Sequence, residues 1–180
     1  SGGGPLIDLG VHLLDLALWL LGYPRPTTVS ASTYAALGPR GLHFAASGAE
    51  PRGEPFEVED LASAFIRLDN GATLFLETSW AMHTAAGRDE YYLHLYGTEG
   101  GVELDVRNYT TVYRDLAGVP VDSVPRALQA GNGHAAAIND FLWCLRQDLP
   151  PECSAEQGIA LMRLIEAIYR SAEERREIRV

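Results

Sequence analysis

Between Leu6 and Leu21 nearly every residue is apolar, and this run constrains the fold more than any other feature of the chain. Pro5 is tolerated at a first helical position, where no N–H is needed, and Gly22 can take the left-handed conformation that ends a helix. Pro24 and Pro26 prevent resumption. The spacing predicts an α-helix over about Pro5–Leu21. Its polar interruptions are Asp8, Gly10, His12 and Asp15, with the Trp19 indole as one further donor. At about 100° per residue, Asp8, His12 and Asp15 lie near 0°, 40° and −20°, and Trp19 near 20°. A helix apolar nearly all round is expected to be buried. One narrow stripe of ionisable groups on it must then face a cavity, a partner or satisfied hydrogen bonds.

That stripe suits acid–base chemistry. Residues i and i+4 are neighbours on a helix surface, so Asp8 can sit beside His12. A carboxylate next to an imidazole favours its charged form and selects its tautomer. The imidazole can then take a proton from a substrate hydroxyl or return it. Asp15, one turn on, is read first as a hydrogen-bond anchor and second as a substrate contact. Two other readings stay open for the stripe. Buried histidines are often structural, and Asp-x3-His-x2-Asp could ligate a metal. No other segment offers a convincing fourth ligand, so no metal is expected.

The remaining chain reads as strands and then helices. Thr27–Ala36 alternates as a strand, and Leu37–Pro55 is a long Gly/Pro/Ala-rich loop. Asn70-Gly71 between two β-rich runs predicts a type I′ hairpin joining Leu61–Leu68 to Thr73–Trp80. Tyr91–Tyr96 follows, then a turn at Gly97–Gly101, then Val102–Val106 and Thr110–Arg114. Residues 115–131 read as loop. A helix is expected over about Gly133–Arg146, with Ala137, Ile138, Phe141, Leu142 and Leu145 as its apolar stripe. Ser154 and Gln157 form a capping box for a last helix to about Glu174, and the Arg/Glu run Glu173–Glu177 reads as a solvated helix end. The class is α+β: a largely antiparallel, open-faced sheet of about five or six strands with helices packed on one face. The whole of residues 1–180 is expected to form a single domain.

Composition narrows the partners. The formal net charge is −10, which argues against nucleic acid and anionic membranes. The longest wholly apolar run, Leu16–Leu21, is far too short to span a bilayer. No signal peptide is visible, and the missing initiator Met suggests a fragment or a processed chain. Cys144 and Cys153 form no CxxC and are expected as free thiols in a reducing cytoplasm. All 14 basic residues are arginines. A mechanism needing a titratable ammonium or a Schiff base cannot be completed by this chain.

The segment Gly2-Gly3-Gly4-Pro5-Leu6-Ile7-Asp8-Leu9-Gly10-Val11-His12-Leu13-Leu14-Asp15 resembles the G-G-G-x-x-x-D-x-G-x-H-x-x-D segment of the glucose–fructose oxidoreductase / inositol dehydrogenase / MocA family. Asp60 with Leu68-Asp69-Asn70-Gly71-Ala72 and Ser79-Trp80 resembles that family's hairpin. Gly97-Thr98-Glu99-Gly100 resembles its next turn. Asp140-Phe141 and Ala167-Ile168-Tyr169-Arg170-Ser171-Ala172 resemble its closing helices. The resemblance covers nearly all the chain. It implies the family's second, dihydrodipicolinate-reductase-like domain, which binds substrate and mediates oligomerisation behind an N-terminal Rossmann domain. It further implies hydride transfer between NAD or NADP and a hydroxyl-bearing carbon of a sugar, cyclitol or related polyol. Carried over, Asp8 orients or relays and His12 is the general acid/base.

Two departures matter. No G-x-G-x-x-G follows a strand and opens a helix here, and Gly2-Gly3-Gly4 lacks the preceding strand. The family's Glu-Lys-Pro lysine is also missing. The isolated fragment is therefore expected to bind dinucleotide poorly and to be inactive, with the cofactor held mainly by the absent N-terminal part. The resemblance also implies a homo-oligomer built through the sheet face. His83 and Arg88, in the loop after the Trp80 strand, are candidate substrate contacts, as is His134 at the start of a helix. His83 and Arg88 could equally be ordinary loop residues, and His134 is read first as a capping or surface residue. The alternatives to an enzyme domain are a non-catalytic binding or oligomerisation module that kept the fold and, more weakly, a metal-dependent hydrolase.

Overall fold

The computed structural model describes residues 2–41, 56–83, 91–105, 109–125 and 131–180. In chain order the elements are a π-turn Leu6–Gly10, α1 Val11–Leu20, β1 Pro26–Tyr34, a 3₁₀ turn Gly38–Arg40, β2 Leu61–Leu68 and β3 Thr73–Ser79. Then come β4 Tyr92–Tyr96, β5 Gly100–Asp105, β6 Tyr109–Leu116, β7 Val119–Ser123, α2 Gly133–Gln147, α3 Ala155–Glu174 and β8 Ile178–Arg179. They divide into two compact units, one of Ser1–Ala85 with Ala155–Val180 and one of Ala86–Ser154. No helix among the described residues is long and apolar enough to cross a membrane.

The first unit carries an antiparallel sheet in the order β3-β2-β1-β8. Period-two alternation puts Ala62, Ala64, Ile66 and Leu68 of β2 on one buried face, joined by Val29 of β1 and Leu76 of β3. Leu14 and Leu18 of α1 and Leu161, Leu164, Ile165 and Ile168 of α3 complete the core from the helical side. The other face of the sheet carries Phe75, exposed beside Phe65 at 4.9 Å between ring centroids. The α+β, antiparallel reading is thus borne out, with α1 and α3 on one sheet face.

The second unit is a meander, β4-β5-β6-β7. Among the described residues, strand number therefore rises from the expected five or six to eight, in two sheets of four. Part of the difference is β7, inside the stretch read as loop. Ala117 and Gly118 both take positive φ, 54° and 81°, in a two-residue turn that pairs Leu116 with Val119. Pro120 is tolerated because β7 is an edge strand. The rest is β8, just past the Glu173–Glu177 run, which is exposed as expected, where no strand was expected. Arg175 takes φ 53°, α3 stops, and Ile178 buries itself beside β1. Of α2, Cys144 is buried, while Ile138, Phe141, Leu142 and Leu145 of its expected stripe are exposed. Cys153 is also exposed, and both cysteines are free thiols.

Two local expectations are corrected. The Asn70-Gly71 hairpin forms, but only Gly71 takes positive φ, 88°, and its N–H donates to the Leu68 carbonyl at 3.1 Å. The loop is Asp69-Asn70-Gly71, not a two-residue type I′ turn. Asp69 is drawn aside because its carboxylate accepts the Arg25 N–H at 2.9 Å. The first helix is also not α from Pro5. It opens as a π-turn, and it is not buried all round: Leu6, Gly10, Leu14, Ala17 and Leu18 are buried, while Asp8, Leu9, His12, Trp19 and Leu20 are exposed. The expected loop Leu37–Pro55 lies largely outside the described residues, as do Val106, which ends the expected fifth strand, and 126–130 of the expected loop 115–131.

Candidate active site

The π-turn that carries Asp8 is held from outside the helix. The Glu59 carboxylate accepts the Gly4 N–H and the Leu6 N–H, each at 3.1 Å. Those are donors that a helix start otherwise leaves unpaired. The Pro5 carbonyl accepts from the Thr78 hydroxyl at 3.1 Å. With these groups committed to tertiary partners, the first turn departs from α geometry, and π-turns often mark functional positions. Close packing fixes its place. A Cβ on Gly4 would lie 2.1 Å from the Glu59 carbonyl oxygen, and one on Gly10 would lie 3.1 Å from Thr78 Cγ2. Both glycines are where backbone must approach backbone or a buried side chain.

Asp8 projects from this turn toward Trp80, whose indole N–H donates to Asp8 Oδ2 at 2.9 Å. Trp80 is itself anchored. Its backbone N–H donates to the Asp60 carbonyl at 3.0 Å, and its ring meets Phe56 edge-on at 6.4 Å and 81°. The buried Asp60 carboxylate accepts the Leu37 and Gly38 N–H groups at 2.6 and 2.8 Å, which brings the 3₁₀ turn under the Phe56 ring. Thus Glu59 holds the backbone from which Asp8 hangs, and the next residue holds the backbone of the residue that Asp8 meets. Neither Glu59 nor the Trp80 indole figures in the sequence reading as a site group.

His12 lies on the first turn of α1 and is exposed. The hydrogen bond made by the Asp8 carboxylate goes to Trp80, and none among the described residues joins it to His12. The π-turn explains this, since the 100° spacing behind the expected Asp8–His12 contact applies to α geometry alone. Asp15, half-buried, accepts a short hydrogen bond from the Tyr23 hydroxyl, with Tyr23 at φ 55° just past the helix end. The carboxylate anchors the chain where it leaves α1. His83 is exposed beyond the end of β3, and Arg88 lies outside the described residues. His134 is exposed on the first turn of α2, in the second unit.

The electrostatics at the helix start are unusual. Burial raises the Tyr169 phenol above its usual range, and its hydrogen bond and charge interaction with Glu59 raise it further. The Tyr169 hydroxyl donates to Glu59 Oε1 at 2.9 Å, so one buried carboxylate takes three donors. That arrangement bears on cofactor binding. A dinucleotide pyrophosphate binds at N–H groups opening a helix. Here those of Gly4 and Leu6 already hold a carboxylate, which would repel phosphate. The start of the first helix therefore does not fit a dinucleotide's phosphates. Among the described residues, no three or more His, Cys, Asp or Glu side chains are grouped to hold a metal ion.

Comparison with known proteins matches residues 1–180 to the family model "Oxidoreductase family, C-terminal alpha/beta domain" of the Gfo/Idh/MocA type. D-glucoside 3-dehydrogenase of Escherichia coli strain K12 is 30% identical over 175 residues, covering 96% of this chain and 48% of that protein. The aldose-aldose oxidoreductase of Caulobacter crescentus, solved with glycerol, superposes with a TM-score of 0.76 at 26% identity over 100% of this chain and 48% of its own. An NAD binding oxidoreductase from Klebsiella pneumoniae superposes with a TM-score of 0.76 at 26% identity, covering 99% of this chain and 51% of its own. The chain spans about half the length of these relatives.

Proposed function

Because the chain belongs to the Gfo/Idh/MocA oxidoreductase family, as its C-terminal α/β domain, we propose that it is the substrate domain of an NAD(P)-dependent sugar or polyol dehydrogenase whose proton-transfer groups are His12 and Asp8. The observation that carries the reading is the placement of those two residues on a helix start fixed by Glu59, Thr78 and close-packed glycine. Pre-positioned groups are what proton transfer requires. His12 takes the hydroxyl proton of the substrate as the carbon–oxygen double bond forms. Asp8 supplies negative charge that favours the resulting imidazolium. Residues outside this chain would hold a nicotinamide, which when bound would supply the hydride acceptor for the same carbon, and any lysine assisting the reaction would also come from outside it. On its own the chain is inactive.

A carbohydrate substrate is supported by relatives named as a D-glucoside 3-dehydrogenase and an aldose-aldose oxidoreductase. A nicotinamide cofactor is supported by the relative named as NAD binding. Asp15, His83, Arg88 and His134 remain candidate substrate contacts, Asp15 on α1 one turn past His12. Exposed Tyr34 and Phe75 support self-association of the protein through the outer sheet face. We place the protein in the cytoplasm, where its free thiols stay reduced.

The test is turnover by the whole protein that contains this chain. It is assayed with NAD⁺ and NADP⁺ against methyl glucosides, free aldoses and myo-inositol. His12→Ala should lower the rate on the best of these by about 10²–10⁴-fold while NAD(P) affinity stays within about twofold, since the base contributes to the chemical step alone. An equal loss in cofactor affinity contradicts the assignment of His12. No turnover of any of them by the wild type favours a non-catalytic module that kept the fold.

A further inference from the structure

We propose that Trp80 is the positioning residue of the proton-transfer site, acting through Asp8. The inference rests on the functional reading above. An aspartate on an exposed turn has two single-bond torsions and rotates between staggered wells unless something holds it. Asp8 is exposed, its hydrogen-bond partner among the described residues is the Trp80 indole N–H, and that contact is 2.9 Å long. The indole is a donor only, so it can bond the carboxylate and cannot exchange roles with it. It occupies Oδ2 and leaves Oδ1 for another partner.

Trp80 is suited to this because it is rigid where Asp8 is not. Its backbone is tied to the Asp60 carbonyl at 3.0 Å, and its ring stands edge-on to Phe56. The Ser79 hydroxyl beside it lies 2.7 Å from the same carbonyl. Phe56 in turn covers Gly38, where a Cβ would lie 2.2 Å from the ring, so the aromatic pair has a backbone floor. The donor comes from the end of β3 and the acceptor from the π-turn, 72 residues apart in sequence. The contact therefore sets the carboxylate from a second element, independently of the turn that carries it.

The experiment uses the whole protein and the sugar that it turns over fastest in the assay above. Trp80→Phe removes the donor and keeps a ring against Phe56. We expect kcat to fall about tenfold, the scale of one hydrogen bond to a charged group, with KM within about twofold. In Asp8→Asn protein the same substitution should cause no further loss, because a residue acting through Asp8 has nothing left to position. A readout independent of turnover is the indole N–H resonance. In ¹⁵N-labelled protein the Trp80 signal, assigned by its loss in Trp80→Phe, should move upfield in Asp8→Asn. An unmoved signal overturns the proposal, as do losses from the two substitutions that multiply in full. If the signal moves but Asp8→Asn leaves kcat unchanged, the contact stands while the proposal fails together with the catalytic role of Asp8. That outcome is distinct from Trp80 acting independently of an important Asp8.

Discussion

The Tyr169 hydroxyl donates to Glu59 Oε1 at 2.9 Å, across 110 residues of sequence, and the same carboxylate accepts two backbone N–H groups from the start of the first helix. Removing it strands three donors at once. Glu59→Ala should therefore destabilise the fold by about 3 kcal/mol, the scale of losing a buried charged acceptor. Glu59→Gln keeps an acceptor oxygen and should cost about 1 kcal/mol. Urea denaturation of the three proteins checks both, and equal midpoints for Glu59→Ala and wild type contradict the role.

Tyr169 makes the fold sensitive to alkali. Its folded-state pKa is raised above the ordinary phenol value of 10.0 by burial and by Glu59. A raised folded pKa favours the protonated form in the native state. The associated stability is thus complete below pH 10.0 and is lost as pH climbs toward the folded value. Tyr169→Phe cannot ionise. It should be less stable than wild type at pH 8 by about 1–2 kcal/mol, and the gap should narrow at pH 10.5–11. A gap that is constant across that range contradicts the linkage.

Gly4 and Gly2 should behave oppositely. A Cβ on Gly4 would sit 2.1 Å from the Glu59 carbonyl oxygen, whereas one on Gly2 meets nothing within 4 Å. Gly4→Ala must push the π-turn off β2's leading segment, at a cost of about 2–3 kcal/mol. Gly2→Ala should stay within about 0.5 kcal/mol of wild type. Thermal unfolding of the pair gives a direct comparison.

Ala117 is a site where stability can be gained. Its φ of 54° is disfavoured for a residue with a Cβ and tolerated by asparagine. Ala117→Asn, followed by Gly118, creates the dipeptide preferred in two-residue hairpins and should stabilise the β6–β7 hairpin by about 0.5–1 kcal/mol. Ala117→Val should destabilise it by more. Hydrogen exchange at the β6–β7 amides reads out both changes.

What the sequence made legible follows from how local each signal is. Leu61–Leu68 and Thr73–Ser79 were readable because alternation and Asn70-Gly71 agree within twenty residues or so. The class was readable for the same reason, whereas the Asp8/His12/Asp15 stripe rested on α spacing that the π-turn Leu6–Gly10 does not keep. β7 was hidden because Ala117-Gly118 is a weak turn signal and Pro120 argues against a strand. β8 is two residues long and is defined by its pairing with β1 rather than by its own pattern. Glu59 was hidden most deeply. It stands in an acidic stretch, Glu57-Val58-Glu59-Asp60, that looks like solvated surface. Its burial depends on Gly4 and Tyr169, more than fifty residues away on either side. The π-turn was missed because tertiary hydrogen bonds from Glu59 and Thr78, absent from any local window, override a strong helical pattern.

The division of the first unit into Ser1–Ala85 and Ala155–Val180 sets an order of events during synthesis. While residues 86–154 leave the ribosome, β1 still lacks β8, and the sheet lacks the α3 side chains Leu161, Leu164, Ile165 and Ile168. Burying one such side chain stabilises by about 1.5–3 kcal/mol, so the nascent first unit stands well short of its final stability. The meander β4–β7 pairs only neighbours in sequence and needs nothing that comes later. The unit that begins first therefore finishes last. Until α3 emerges, its uncovered apolar sheet face is a target for chaperones and for aggregation.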